Sequence, residues 1–145
     1  MYIVQFENVA VSAAQDFFEL TIADDKPLLI HELGLSQSTE LGDAAEEQLR
    51  VQIIRGHTGS GSGGGTFTPV PLSATDAAAG FTCEINNTSV ATGGTAVQLY
   101  TAAFNVRVGL EKIWTPETRP EASQAGTTVV ARLLAAPIDS VTMGG

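Results

Sequence analysis

The tract Gly59-Ser60-Gly61-Ser62-Gly63-Gly64 spells G-x-G-x-x-G. That string cradles a dinucleotide pyrophosphate when a strand precedes it, a helix follows it and an acidic residue lies about 20 positions on. The residues that follow, Gly65-Thr66-Phe67-Thr68-Pro69, cannot open a helix, and the tract has no Lys to serve a P-loop. Its composition predicts a flexible loop instead. His31 and His57 stand 26 residues apart, with Glu32 beside the first. Two imidazoles and a carboxylate can hold a transition metal on a β scaffold, but nothing in this spacing asks for it. Asp24-Asp25 begins like a calcium loop, yet Pro27 and Leu28 stand where further oxygen ligands belong, so a solvated turn is expected. Cys83 has no neighbouring base to activate a thiolate and reads as a small buried apolar residue. Ser36, Ser38 and Ser123 lack the Gly-x-Ser-x-Gly setting of an activated serine. A β-sandwich can bring two carboxylates together for glycoside chemistry, but one Trp and two Tyr are a thin supply of sugar-stacking platforms. Asn86 and Asn87 each head an N-x-[ST] triplet, with Thr88 and Ser89, and read as a polar turn. No stretch completes a catalytic, cofactor or metal motif. The expectation is a non-enzymatic chain that needs no cofactor.

The elements that would position these residues alternate with period two, the mark of half-buried strands. Tyr2, Val4 and Phe6 share one face of the first segment. Phe18, Leu20 and Ile22 alternate with Phe17, Glu19 and Thr21. Leu28 to Leu35 reads as a strand with an irregularity near Gly34, and Leu49 to Arg55 as another. Ala96 to Val108 is a long run rich in apolar and β-branched residues, continued past Gly109 by Leu110 to Trp114. Thr127 to Leu134 and Val141 to Met143 close the series. Pro69 and Pro71 fit an extended edge segment. Two helix-start signals stand out: Ser73 with Asp76 before Ala77-Ala78-Ala79-Gly80, and Asp43 with Glu46 before Glu47-Gln48. The expected fold is an all-β antiparallel sandwich of jelly-roll type, with about eight strands and one or two very short helices. It forms one domain over residues 1–145 with a flexible Gly/Ser-rich loop at about 56–66, because neither flank of that loop alone can bury a core. Shortening Ser60–Gly64 is expected to change stability by less than about 1 kcal/mol.

Charge narrows the partners. The chain carries 16 acidic and 7 basic residues, a net charge of −9. Its basic residues are scattered singly, so no patch exists to neutralise phosphates, and nucleic-acid binding is not expected. Residues 1–72 hold 10 of the acids against 3 basic residues, which makes the first half the acidic one. No apolar run approaches the ~20 residues of a membrane helix. The N-terminal segment lacks the basic start and apolar core of a signal peptide, which points to synthesis in a reducing cytoplasm. The chain holds 19 Ala, 16 Thr and 15 Gly but only 2 Lys, so its strands have few of the charges that guard open edges. Segments such as Val90–Leu99 and Thr101–Ala103 would let subunits approach closely. Large aromatics dominate many interfaces, which makes Tyr100 and Trp114 candidate contact anchors.

Several segments resemble a family of small virion proteins from tailed bacteriophages and prophages. They are Asp24-Asp25-Lys26-Pro27, Glu46 to His57 (Glu-Glu-Gln-Leu-Arg-Val-Gln-Ile-Ile-Arg-Gly-His), Asp76 to Phe81, Phe104 to Gly109, and Arg132 to Pro137. The resemblance covers most of the chain, and its motifs are structural rather than catalytic. It implies a jelly-roll capsid decoration (cement) protein on the capsid surface. The partners it implies are the major capsid protein and further copies of the chain, a homotrimer first, with synthesis in the host bacterial cytoplasm. The alternative it leaves open is a carbohydrate- or receptor-binding jelly-roll module of a head fibre or tail.

Overall fold

A computed structural model of the chain describes residues 1–23, 26–39 and 46–145. The expected turn at Asp24-Asp25 and the helix start at Asp43 fall outside these residues. The described chain is all-β and antiparallel, in fourteen strands. They are β1 (Tyr2–Ile3), β2 (Val9–Val11), β3 (Gln15–Thr21), β4 (Leu28–Leu29), β5 (Glu32–Gln37), β6 (Gln48–His57) and β7 (Gly65–Phe67), followed by β8 (Val70–Pro71), β9 (Thr82–Asn87), β10 (Val97–Asn105), β11 (Leu110–Ile113), β12 (Glu121–Ala122), β13 (Thr128–Leu133) and β14 (Val141–Gly144). A six-stranded sheet runs β10-β6-β13-β3-β9-β7, and a four-stranded sheet runs β11-β5-β14-β2. Two small ribbons, β1-β8 and β12-β4, complete it.

One hydrophobic core joins the two larger sheets. Phe17, Val51, Ile53, Val129 and Leu133 from the larger sheet pack in the same cluster as Val11, Leu33, Leu35, Val141 and Met143 from the smaller. That shared core makes the pair a sandwich. Phe6 bridges the layers: it stacks on Phe17 at 5.6 Å, and its backbone exchanges hydrogen bonds with Gly145.

The strand count exceeds the expected eight because two- and three-residue pairings are too short to show alternation. The Leu28–Leu35 segment breaks at Ile30-His31 rather than at Gly34, splitting into β4 and β5. β9 alternates Cys83 and Ile85 with Thr82, Glu84 and Asn86, a pattern masked by the polar Asn86-Asn87 end. Val90 to Ala96 is loop, so only the later part of Val90–Leu99 enters a strand.

No helix occurs among the described residues. The Ser73–Gly80 stretch is a turn. Ser73 Oγ pairs with Thr75 Oγ1, and the Tyr2 hydroxyl donates to the Ala77 carbonyl. One capped turn of helix cannot meet its nucleation cost alone, and here the competing contacts prevail.

The Gly/Ser tract links β6 to β7, but it is tied down rather than free. Gly59 and Thr92 exchange two backbone hydrogen bonds, as do Ser62 and Ser89. A Cβ at Gly64 would run into the Ile85 carbonyl oxygen, so glycine there permits close backbone approach. Gly56, at φ +91°, forms the bulge that lets β6 continue along β13 to pair His57 with Thr128.

Candidate functional site

The polar chemistry of the chain gathers on the outer face of the six-stranded sheet. A bulge creates the gathering. Residues three apart on a regular strand face opposite sides, which would separate Asp16 from Glu19. In β3 the pairing with β13 skips Phe17, passing from Phe18–Ala131 to Asp16–Arg132. Phe17 and Phe18 therefore both enter the core, instead of alternating as the sequence pattern implied. Asp16 and Glu19 then share the outer face with Arg132, Glu84 and Asn87, their direct cross-strand partners among them.

Asp16 is fully buried and accepts a fork from Arg132, Nε to Oδ1 at 2.5 Å and Nη2 to Oδ2 at 3.0 Å. Asp16 Oδ2 also accepts the Ala91 amide at 2.7 Å, and Arg132 Nη2 donates to the Ala91 carbonyl. The ion pair thus clamps the 88–96 loop onto the sheet, where Ala91, Ile54 and Val130 form a small second core. Glu19 is 1% exposed. Its Oε2 accepts the Gly61 amide and Asn87 Nδ2, both at 2.9 Å. Asn87 Nδ2 also donates to Glu84 Oε2 at 2.8 Å, and Ser60 Oγ reaches the same oxygen. Asn87 Oδ1 accepts the Gly64 amide. Two carboxylates therefore meet at one amide, the juxtaposition a hydrolase needs. The Gly tract closes over them, and Glu19 Oε2 and Glu84 Oε2 are taken by backbone, amide and hydroxyl donors, while Glu19 Oε1 is buried without a partner. The network holds loops in place and leaves no open space at Glu19 for a substrate.

The remaining titratable candidates are dispersed. His57 is buried at the end of β6, with Nδ1 3.4 Å from the Gly93 carbonyl and Nε2 unpartnered. His31 precedes β5 in the other sheet, where its carbonyl accepts the Trp114 amide. No group of three His, Cys, Asp or Glu side chains among the described residues could hold a metal. Cys83 is buried in the core cluster, and burial pushes its thiol up to about 12, with Glu84 and then Glu19 adding to the rise. Asn86 and Asn87 are buried strand residues, not an exposed turn; Asn86 takes φ +58° and accepts a hydrogen bond from Gln15.

The two candidate contact residues lie together at the open side of the sandwich, where β10 and β11 are the edge strands. Tyr100 and Trp114 meet edge to face at 5.2 Å, and Lys112 Nζ stands 5.8 and 5.7 Å from their ring centres. Trp114 is only 6% exposed and belongs to the core, whereas Tyr100 is half-buried against it. A shallow cleft of about 260 Å³ lies between Glu46–Arg50 and Ala135, Ala136 and Ile138. Glu47 Oε2 accepts the Ile138 amide at its rim.

The open surface carries exposed apolar side chains at Leu29, Ile113 and Ile138 and in two further places. On the β1-β8 ribbon Ile3 stands opposite Val70, and these two with Met1 and Leu72 are all exposed. At the β10 side, Val97 at the start of the strand and Val108 in the turn after it are exposed. No sequence motif announces either surface; both follow from which apolar residues the topology leaves uncovered. No protein-family model, curated protein or solved structure matches the chain.

Proposed function

We propose that this chain is a structural virion protein of a tailed bacteriophage that decorates the capsid exterior and stabilises it through subunit contacts. The observation that carries the reading is the division of the molecule. Carboxylates and amides with the geometry for chemistry are sealed beneath loops, while the open surface offers exposed apolar side chains and a bare strand edge. A cement protein works by burying surface, and many copies let weak contacts add. The net charge of −9 suits an exterior position, where packaged DNA does not repel it. The family resemblance supports the same reading, with the major capsid protein as partner.

The strand order supports a jelly-roll form of the sandwich. β3 and β13, the first and last long strands, lie side by side, with β6 and β10 beyond them. β5 and β11 pair in the opposite sheet, so the chain changes sheets between β3, β5 and β6 and again between β10, β11 and β13. Such alternation is how a jelly roll wraps. β9 and β7, added beside β3, depart from the eight-strand form.

Purified protein added to expanded capsids that lack it should co-sediment with them in saturable, stoichiometric amounts and raise their disruption temperature. Failure to bind such capsids, together with saturable binding to a glycan, would replace this reading with the receptor-binding one.

A further inference from the structure

The sandwich has four main open edges, and three are blunted. β2 and β7 have three residues each, and β11 has four, including Glu111 and Lys112. Short strands and charges are the usual guards against pairing with another chain. β10 is different. It runs for nine residues, Val97-Gln98-Leu99-Tyr100-Thr101-Ala102-Ala103-Phe104-Asn105, with no charge and no proline. It pairs with no strand but β6, and among the described residues the one backbone contact on its other edge is local, the Asn105 carbonyl accepting the Val108 and Gly109 amides of the turn that follows. A bulge at Leu99 disturbs its start, but the register from Tyr100 to Asn105 is regular. Every second amide and carbonyl along that stretch faces outward without a partner strand.

We propose that this edge is closed by the same edge of a second copy, the two β10 strands pairing antiparallel about a two-fold axis to make one twelve-stranded sheet. A two-fold axis perpendicular to an antiparallel pair sets one residue opposite itself. The middle of the regular stretch is Ala102, which sets the register. Tyr100 then faces Phe104 of the second copy on the core side, and Thr101 faces Ala103 of the second copy on the outer side. Aromatic pairs on one face and small residues on the other are favourable cross-strand neighbours. An uncharged strand meets itself without like-charge repulsion, despite the overall charge of −9. Val97 at the start of the strand and Val108 in the turn after it are exposed beside the seam. The interface is isologous, so it closes at two copies.

The pairing rests on the assembly reading above, with a dimer in place of the homotrimer that the resemblance implies, and it is measured on the isolated protein, so its failure and that of capsid binding are separate results. Sedimentation or light scattering of the wild type should give twice the 15.1 kDa chain mass. Thr101→Lys with Ala103→Lys brings like charges together across the axis and should weaken the dimer at least about tenfold. Both positions are exposed on the single chain, so the fold should persist, as a circular dichroism spectrum would verify. Thr101→Lys with Ala103→Glu instead sets opposite charges across the axis and should restore the dimer. A wild type that is monomeric, a trimer, or a dimer indifferent to both variants would overturn the proposal, and so would failure of the charge-swapped variant to recover.

Discussion

Cys83 shows how much a single position's surroundings decide. It lies in the core beside Glu84, across the β3-β9 pairing from Leu20. Burial, then Glu84 and Glu19, hold its thiol at about 12 against an ordinary value near 9. Between those values the folded chain keeps a proton that the unfolded chain releases. Stability therefore falls as pH rises through that window, by at most about 1.4 kcal/mol per pH unit. Cys83→Ala should remove this component. Urea unfolding at about pH 8 and about pH 10.5 should show a shallower alkaline loss in the variant than in the wild type. Equal slopes would contradict a buried neutral thiol. The sequence reading of Cys83 as a buried apolar residue agrees with its place in the core. The partnership of Asp16 with Arg132 was not legible, because 116 residues separate them and a bulge decides which face Asp16 takes. Asp16 is fully buried and Arg132 partly so, and removing Arg132 would strand the Asp16 charge.

At the scale of elements, the Gly/Ser tract carries the largest difference between pattern and structure. Its composition is that of a free linker, yet its backbone amides serve Glu19 and Asn87 and pair with the 88–96 loop. Deleting Ser60–Gly64 removes the Gly61 amide from a carboxylate that is 1% exposed. The expected cost is about 1–3 kcal/mol, the penalty for an unsatisfied buried group, rather than the small loop-closure term. Gly64→Ala should cost more than about 1 kcal/mol, since its Cβ has no room. Urea midpoints unchanged in both variants would show that the tract is free after all. Glycines look alike in sequence whether they loosen a chain or let two backbones touch, and only the partner strand tells them apart. The long strands were legible because alternation recorded them: β6 and β13 fall within two residues of their expected spans, and β10 within three. β9 is marked only by the short alternation of Cys83 and Ile85, and the burial of its Asn86-Asn87 end depends on partners far away in sequence. Nor did the Ser73–Gly80 cap signal survive, since Tyr2 takes the Ala77 carbonyl.

At the scale of the whole molecule, the clamped polar network and the open apolar side chains lie apart. Loops are clamped over the outer face of the larger sheet, the carboxylates there are spent on the clamping, and apolar surface is left open on the β1-β8 ribbon, at the start of β10 and in the turn after it. The all-β class was evident from alternation and turn residues, whereas the open surfaces depend on topology. Size alone marks Tyr100 and Trp114 as contact anchors; Trp114 is committed to the core, and Tyr100 keeps partial exposure on the same strand as the bare edge. The central claim is that this body acts by occupying the capsid exterior in many copies. An electron cryo-microscopy map of the parent virion tests it most directly. Density fitting this sandwich should recur over the outer capsid surface at copy numbers tied to the shell lattice. Density confined to a single vertex, a fibre or the tail, or absent from the virion, would contradict the account.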